Sequence, residues 1–299
     1  MPEAPHVPGR ALNDPPMIPG AGGLPPLPPG APGMPGGPPT TDQVAQAIGS
    51  VASEAPKMDP VPETVIELPA GWMSPSGVLV QKATVRELNG YDEEKLSRID
   101  MGKNFALFVT ELVTMGTSDL GGEPPTKDII RDLLIGDRDA LIIGIRQATY
   151  GNEVEFKIHC EACGKDSAVG VELDSDIPTV VMDDPTVREF DVTLRHGHAK
   201  VALLNGRTQE AFAENLLKKT QAEINTVVLA HCVISINDVP VMGREEDVKR
   251  LSAADRATLT DFMAEYQPGP KLSEPVNVNC ATCGEEYPIT LGLPTMFRF

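Results

Sequence analysis

The apolar positions of the chain keep two periods, and the change between them marks out its elements. Met101, Phe105, Leu107, Phe108, Leu112 and Val113 recur every three or four residues and predict a largely buried helix. Pro124-Pro125-Thr126 opens another through Ile129, Ile130, Leu133 and Leu134. Asp137 reads as the N-cap of a third helix from Arg138 to Thr149, with Leu141, Ile142, Ile145 and Ala148 on one face and Gly151 as its stop. The period then becomes two. Val154, Phe156 and Ile158 alternate with Glu153, Glu155, Lys157 and His159, and Val169, Val171 and Leu173 resume the alternation, so residues 153–174 predict a hairpin with Cys160 to Gly164 at its tip.

Upstream, Glu63 to Leu68 and Val78 to Glu87, broken by Pro69, Gly71, Pro75 and Gly77, predict a hairpin or two short strands, and a helical stretch begins at Asp92. Downstream, strands Phe190 to Leu194 and Lys200 to Leu204 are joined by His196-Gly197-His198, and two helices follow around Thr208–Leu217 and Ala222–Ala230. Val233 to Val241 predicts a tight hairpin turning at Asn237-Asp238. Ser252-Ala253-Ala254-Asp255 reads as a capping box with Asp in place of Glu, opening a helix to Tyr266. Pro275 to Asn279 and Pro288 to Leu291 flank a second cysteine pair. The class is α+β, a mixed helical body with β-hairpins.

Composition changes this picture mainly at the N-terminus. Residues 1–40 hold 14 of the 29 prolines and 8 of the 27 glycines, and their charged residues are Glu3, Arg10 and Asp14. Proline removes the amide donor and fixes φ, so this stretch predicts an extended arm or a spacer. Its apolar Met17, Ile18, Leu24, Leu27 and Met34 suit an arm lying along neighbouring subunits. Residues 41–60 predict a short helix on Val44, Ile48, Val51 and Ala52 followed by a linker, and 61–299 predict the α+β domain, with a candidate split near residue 152. The net charge of −18 therefore belongs almost entirely to the body. It argues against nucleic acid as a partner, because phosphate binding requires lysine and arginine. No stretch reaches the roughly 20 apolar residues that cross a bilayer, and no basic-then-apolar leader opens the chain, so no membrane partner and no secretory signal are expected.

The strongest chemical signal is the pair Cys160-x-x-Cys163-Gly164 and Cys280-x-x-Cys283-Gly284. In such a knuckle two thiolates point the same way, amides after the first cysteine donate to sulfur, and glycine permits the tight turn. Two knuckles supply the four soft ligands of a tetrahedral zinc at about 2.3 Å, a closed shell without an open catalytic position. One structural zinc per chain, on Cys160, Cys163, Cys280 and Cys283, is the expectation. The 116 residues between Cys163 and Cys280 would make the ion a long-range clasp. Redox pairs, local disulfides or plain loop cysteines are the competing readings, but redox C-x-x-C motifs start a helix after a strand, whereas these sit at hairpin tips. Cys232 reads as a buried thiol.

His196-Gly197-His198 reads as a solvent-facing turn with no nearby carboxylate cluster, and His159 as a packing or hydrogen-bonding neighbour of the first knuckle. The charges of Asp137, Arg138 and Asp139 are explained by a helix start. No phosphate-loop, dinucleotide, serine-hydrolase or zincin motif occurs, so no enzymatic activity is expected.

Three segments in order, Arg86-Glu87-Leu88-Asn89-Gly90-Tyr91-Asp92-Glu93-Glu94, Leu133 to Ile142, and Arg146 to Gly151, followed by the knuckle, resemble the T-even-type phage baseplate protein family of contractile-tailed phages and related injection systems. The resemblance runs from about Leu68 to Leu293, includes the Leu251 to Asp255 helix start and the second knuckle, and leaves out the proline-rich arm. It implies a virion protein of the tail baseplate, in hub or wedge, assembled in the host cytoplasm with other baseplate and tail proteins and with further copies of itself. A transient assembly factor absent from the virion is one alternative, and a zinc-ribbon nucleic-acid accessory protein is another. Zinc rests on the cysteine spacing and not on this kinship.

Overall fold

The computed structural model describes residues 62–213, 218–241 and 243–297. The arm over 1–40 and the helix and linker over 41–60 lie outside the described residues, as do the last positions of the helix expected around Thr208–Leu217. In order, the elements are β1 Glu63–Met73, β2 Leu79–Arg86, α1 Gly90–Leu96, α2 Met101–Gly116, β3 Thr117–Leu120, α3 Lys127–Asp132, α4 Ile135–Tyr150, β4 Glu153–Cys160, β5 Lys165–Glu172, β6 Thr179–Val180, β7 Glu189–Leu194, β8 Gly197–Ala202, α5 Gly206–Ala213, α6 Gln221–Cys232, β9 Val233–Ile236, β10 Val239–Pro240, α7 Glu245–Lys249, α8 Ala253–Tyr266, β11 Gly269–Pro270, β12 Val276–Asn279, β13 Glu286–Ile289 and α9 Leu293–Met296. The class is α+β, and the pairing within its small sheets is antiparallel.

Two buried apolar clusters divide these elements. The first joins β1 to β3, α1 to α4, the β4–β5 hairpin and the segment from Val278 to Phe297. The second joins β7 to β9, α6 and α8. Val154, Val169 and Val171 pack into the same core as the helices before them, so the cores change hands downstream of residue 152. The second core is an insertion within the chain path of the first, and its neck is the two-residue ladder of β6 on β11, Val180 opposite Gly269 and Thr179 opposite Pro270.

Helix α4 crosses this neck at its first turn. It starts at Ile135, not at Arg138, and its N-cap is Leu134, which makes no side-chain capping bond. In place of a side-chain cap, residues 133–135 run beside 204–206: the Ile135 amide donates to the Leu204 carbonyl at 3.0 Å, and Gly206 donates to Leu133 at 3.1 Å. Gly136 then meets the neck backbone directly. A Cβ built there would stand 1.6 Å from the Pro268 carbonyl oxygen, so only glycine fits.

Asp137 is consequently not a cap. It is fully buried, and its Oδ1 accepts from the amides of Ala70 at 2.8 Å and Gly71 at 3.2 Å, where β1 bulges away from β2 between Glu67 and Trp72. Arg188 closes the same bulge from the other side, donating to the carbonyls of Ala70 and Gly71. Arg138, also fully buried, donates through Nη2 to Thr110 Oγ1 at 3.0 Å, and that hydroxyl donates to Glu210 Oε1. The helix-start explanation for Asp137 and Arg138 therefore fails: their side chains are buried cross-links between remote segments.

Other starts follow local rules. Asn89 and Asp92 form a capping box for α1, and Arg86 grips Asp92 with two hydrogen bonds of 2.7 and 3.1 Å. Ser252 caps α8 by accepting from the Asp255 amide, as expected. The Asp255 carboxylate departs from the box, taking instead the Arg195 amide at 2.7 Å and His196 Nδ1 at 2.9 Å.

Gly136→Ala is expected to destabilise the chain by about 3 kcal/mol, because backbone must move to admit the methyl group. The melting temperature should fall by roughly 6–12 °C, whereas Gly90→Ala, which meets nothing within 4 Å, should leave it nearly unchanged. Burial raises the Asp137 carboxyl from 3.8 to about 6, against the opposing pull of the Ala70 and Gly71 amides and of Arg188. A raised carboxyl favours the protonated folded state, so its contribution is complete below pH 3.8 and is lost as pH rises through about 6. In urea unfolding, Asp137→Asn should gain stability over the parent by on the order of 3 kcal/mol between pH 4 and pH 6 and no more above it.

Candidate metal centre

The two cysteine pairs lie at the tips of two separate hairpins, β4–β5 and β12–β13, as their spacing predicts. Each tip is the same turn. Gly164 donates to the Cys160 carbonyl at 2.7 Å and Gly284 to the Cys280 carbonyl at 2.9 Å, with both glycines at positive φ, +67° and +78°. Amide groups then point at sulfur: Cys163 toward Cys160, Lys165 toward Cys163, Thr282 and Cys283 toward Cys280, and Glu285 toward Cys283.

The tips meet. All four sulfurs lie within 4.8 Å of one another, with Cys160 Sγ to Cys283 Sγ at 3.5 Å and Cys163 Sγ to Cys280 Sγ at 4.0 Å. A disulfide requires about 2.05 Å, and the cysteines are free thiols. A tetrahedron of sulfurs about 2.3 Å from a central ion has edges of about 3.8 Å. The cluster has those dimensions and could hold a metal ion. Cys160 and Cys280 are buried, Cys163 is half-buried and Cys283 is exposed, so the centre opens to solvent on one side.

Its electrostatics call for a cation. The Tyr287 hydroxyl, 3.3 Å from Cys160 Sγ, together with the nearby Cys163 amide, lowers the Cys160 thiol to about 6. Cys283 receives the Glu285 amide, yet its three sulfur neighbours push it up to about 12. Four thiols this close cannot all ionise by themselves, and a positive ion among them removes that conflict.

Two residues missed in the sequence tie the hairpins together. Tyr287, on β13, also accepts from the Glu161 amide at 2.9 Å, so a residue of the second hairpin caps the first knuckle. Ser167, on β5, accepts from the Ala281 amide at 3.1 Å and reciprocates. The aromatic residue four positions after Cys283 was the available signal for Tyr287; Ser167 offered none.

The remaining candidates stay apart from the cluster. His159 turns to the surface and pairs through Nδ1 with Asp166 at 2.7 Å, not with a cysteine. His196 and His198 do have carboxylate neighbours, contrary to expectation: Asp255 at 2.9 Å and Asp238 at 3.2 Å. These acids come from α8 and from the β9–β10 turn, remote in sequence, and the two histidines bond to different ones. Cys232 is buried in the second core, where desolvation pushes its thiol up to about 12.

A family model described as T4 bacteriophage base plate protein matches residues 109–298. The chain belongs to this family. The match takes in α4, both knuckles and the whole second core, while the Arg86 to Glu94 segment lies ahead of it. Comparison with curated proteins and with solved structures returned no match. Membership makes this a phage baseplate-related protein and implies other baseplate or tail proteins as its partners. No helix among the described residues is long and apolar enough to cross a membrane.

Cys163→Ser is expected to remove whatever metal the purified baseplate-family chain carries, while His159→Ala should retain it, since its ring is engaged by Asp166. Elemental analysis after gel filtration checks both, and loss of metal from the histidine variant would contradict the four-sulfur assignment.

Proposed function

We propose that the chain is a structural, non-enzymatic component of a contractile phage tail baseplate, in hub or wedge, clasped by one structural zinc on Cys160, Cys163, Cys280 and Cys283. Family membership over residues 109–298 carries the baseplate reading. Four sulfurs within 4.8 Å of one another, two pairs of them at 3.5 and 4.0 Å, and the all-sulfur donor set support zinc, which accepts four soft ligands without a geometric preference of its own. The ion would act on folding. Closing a loop of about a hundred residues is worth about 4–5 kcal/mol in the chain-entropy model, and here the loop contains the whole second core.

A net charge of −18 opposes a nucleic-acid role and suits docking among protein neighbours with basic surfaces. The proline-rich arm is read as a contact to neighbouring subunits, including further copies of the chain.

Quantitative mass spectrometry of purified tails is expected to find the chain in fixed ratio to other baseplate proteins, and elemental analysis to find about one zinc per chain. Tails that are normal in shape and lack the chain would replace the structural role with that of a transient assembly factor. Cys280→Ser is expected to release the zinc and to destabilise the fold by on the order of 5 kcal/mol; full retention of zinc by that variant would defeat the shared site.

A further inference from the structure

A cavity of about 670 Å³ opens where the two cores meet at the neck. Its apolar wall is drawn from both sides, Val109 and Ile142 from the first core and Val228 and Met263 from the second. Several polar groups on that wall are engaged. Gln267 exchanges two hydrogen bonds with the Leu204 backbone, Asn225 Oδ1 accepts from Gln221, and Lys271 Nζ donates to the carbonyls of Ala264 and Gln267.

Two are not. Gln209 Oε1 is buried without a hydrogen-bond partner. Asp139 has no hydrogen-bond or ion-pair partner among the described residues, and desolvation, only partly offset by Arg138, pushes its carboxyl up to about 7. Both unpaired groups are acceptors, one of them acidic, set in a largely apolar wall. Gln209 Oε1, buried without a donor, carries a cost that a donating guest recovers, and the half-buried Asp139 carboxylate lines the same cavity.

We propose that this cavity is a socket for an arginine side chain presented by a baseplate partner, its stem lying on the apolar wall and its guanidinium donating to Asp139 and Gln209. Arginine joins an apolar three-carbon stem to a planar head with five donors, and its weak hydration makes burial cheaper than for lysine. Phe105, exposed where it lines the cavity, adds apolar contact beside the guest. The acidity of the chain as a whole draws a cationic partner toward it. A guest touching both cores would also hold them at one separation, which makes the socket a point of assembly control. The identity of the donor rests on the baseplate reading; the chemistry of the socket does not.

The metal-loaded full-length chain titrated with n-butylguanidinium, n-butylammonium and n-butanol, followed by NMR, tests the socket directly. Saturable shifts are expected at the Gln209 side-chain amide and at the Ile142 and Met263 methyls, with n-butylguanidinium binding about tenfold more tightly than n-butanol. Asp139→Asn should weaken n-butylguanidinium about tenfold and leave n-butanol unchanged. If that variant melts early or loses metal, Gln209→Leu, which keeps the acid, should weaken the guanidinium several-fold by removing one acceptor. Equal binding of all three probes, shifts confined to other surfaces, or a guanidinium affinity indifferent to both substitutions would overturn the proposal, and tighter binding of n-butylammonium would overturn the choice of arginine. Absence of the chain from tails would refute its place in the baseplate and leave these outcomes untouched.

Discussion

The contact of Gly136 with the Pro268–Gly269 backbone is the constraint on which the remainder of the structure turns. A built Cβ on Gly269 would stand 2.2 Å from the Gly136 Cα, so two backbones touch with no side chain between them. This pins the first turn of the helix over 135–150 against the neck of the inserted core. Successive helical residues point about 100° apart, so the next three positions address three further neighbours. Asp137 takes the bulge of the first strand, Arg138 reaches Thr110, and Asp139 faces the cavity. Gly206 completes the crossing: Arg138 Nη1 lies 1.6 Å from where its Cβ would be. Four consecutive residues thereby organise both cores.

What could be seen in the sequence was local. The hairpin of residues 153–172 announces itself because one face of each strand is buried, which writes a period of two, and that of residues 276–289 is marked by the cysteine pair between its strands. The knuckles were legible because both sulfurs of each pair, the sulfur-directed amides and the turn glycine fall within five or six residues. The tip-to-tip meeting was inferable from valence, since two pairs make four ligands. Asp137 misled because an acid three residues into a helical period has the composition of a cap. The first helical donor, the Ile135 amide, is met by a strand-like contact with residues 204–206, which no local pattern records. Asp255 misled in the same way, half obeying its box and spending its carboxylate on the turn at His196. Asn89, a better cap than the expected start at Asp92, was legible and overlooked.

The chain path explains why a distant clasp is needed. The second core departs after the first hairpin and returns before the second, and the ladder at its neck is two residues long, which supplies little stability alone. Three devices flank it. Gly136 locks the neck from below, Asp137 and Arg188 hold the adjoining bulge, and the cysteine tips join the strands on either side of the insertion. Tyr287 and Ser167 strengthen that last junction: Tyr287 accepts from the Glu161 amide and donates to Cys160 Sγ, and Ser167 accepts from the Ala281 amide. The hairpins themselves are two-stranded sheets, a size that is marginal in isolation, so a cross-link between their tips constrains the elements most in need of it.

The same architecture determines where a partner can exert leverage. A surface contact on either core alone would bury area without touching the junction between them. The cavity beside Asp139 is different, because its wall is contributed by α-helices of both cores and by the neck that connects them. Its unpaired Gln209 oxygen stores a desolvation cost in the free chain that a donating guest relieves, so binding energy arises at the joint itself. An assembly protein gains from this placement: the partner is recognised by charge at long range and by donor geometry at short range, and it touches both cores at once.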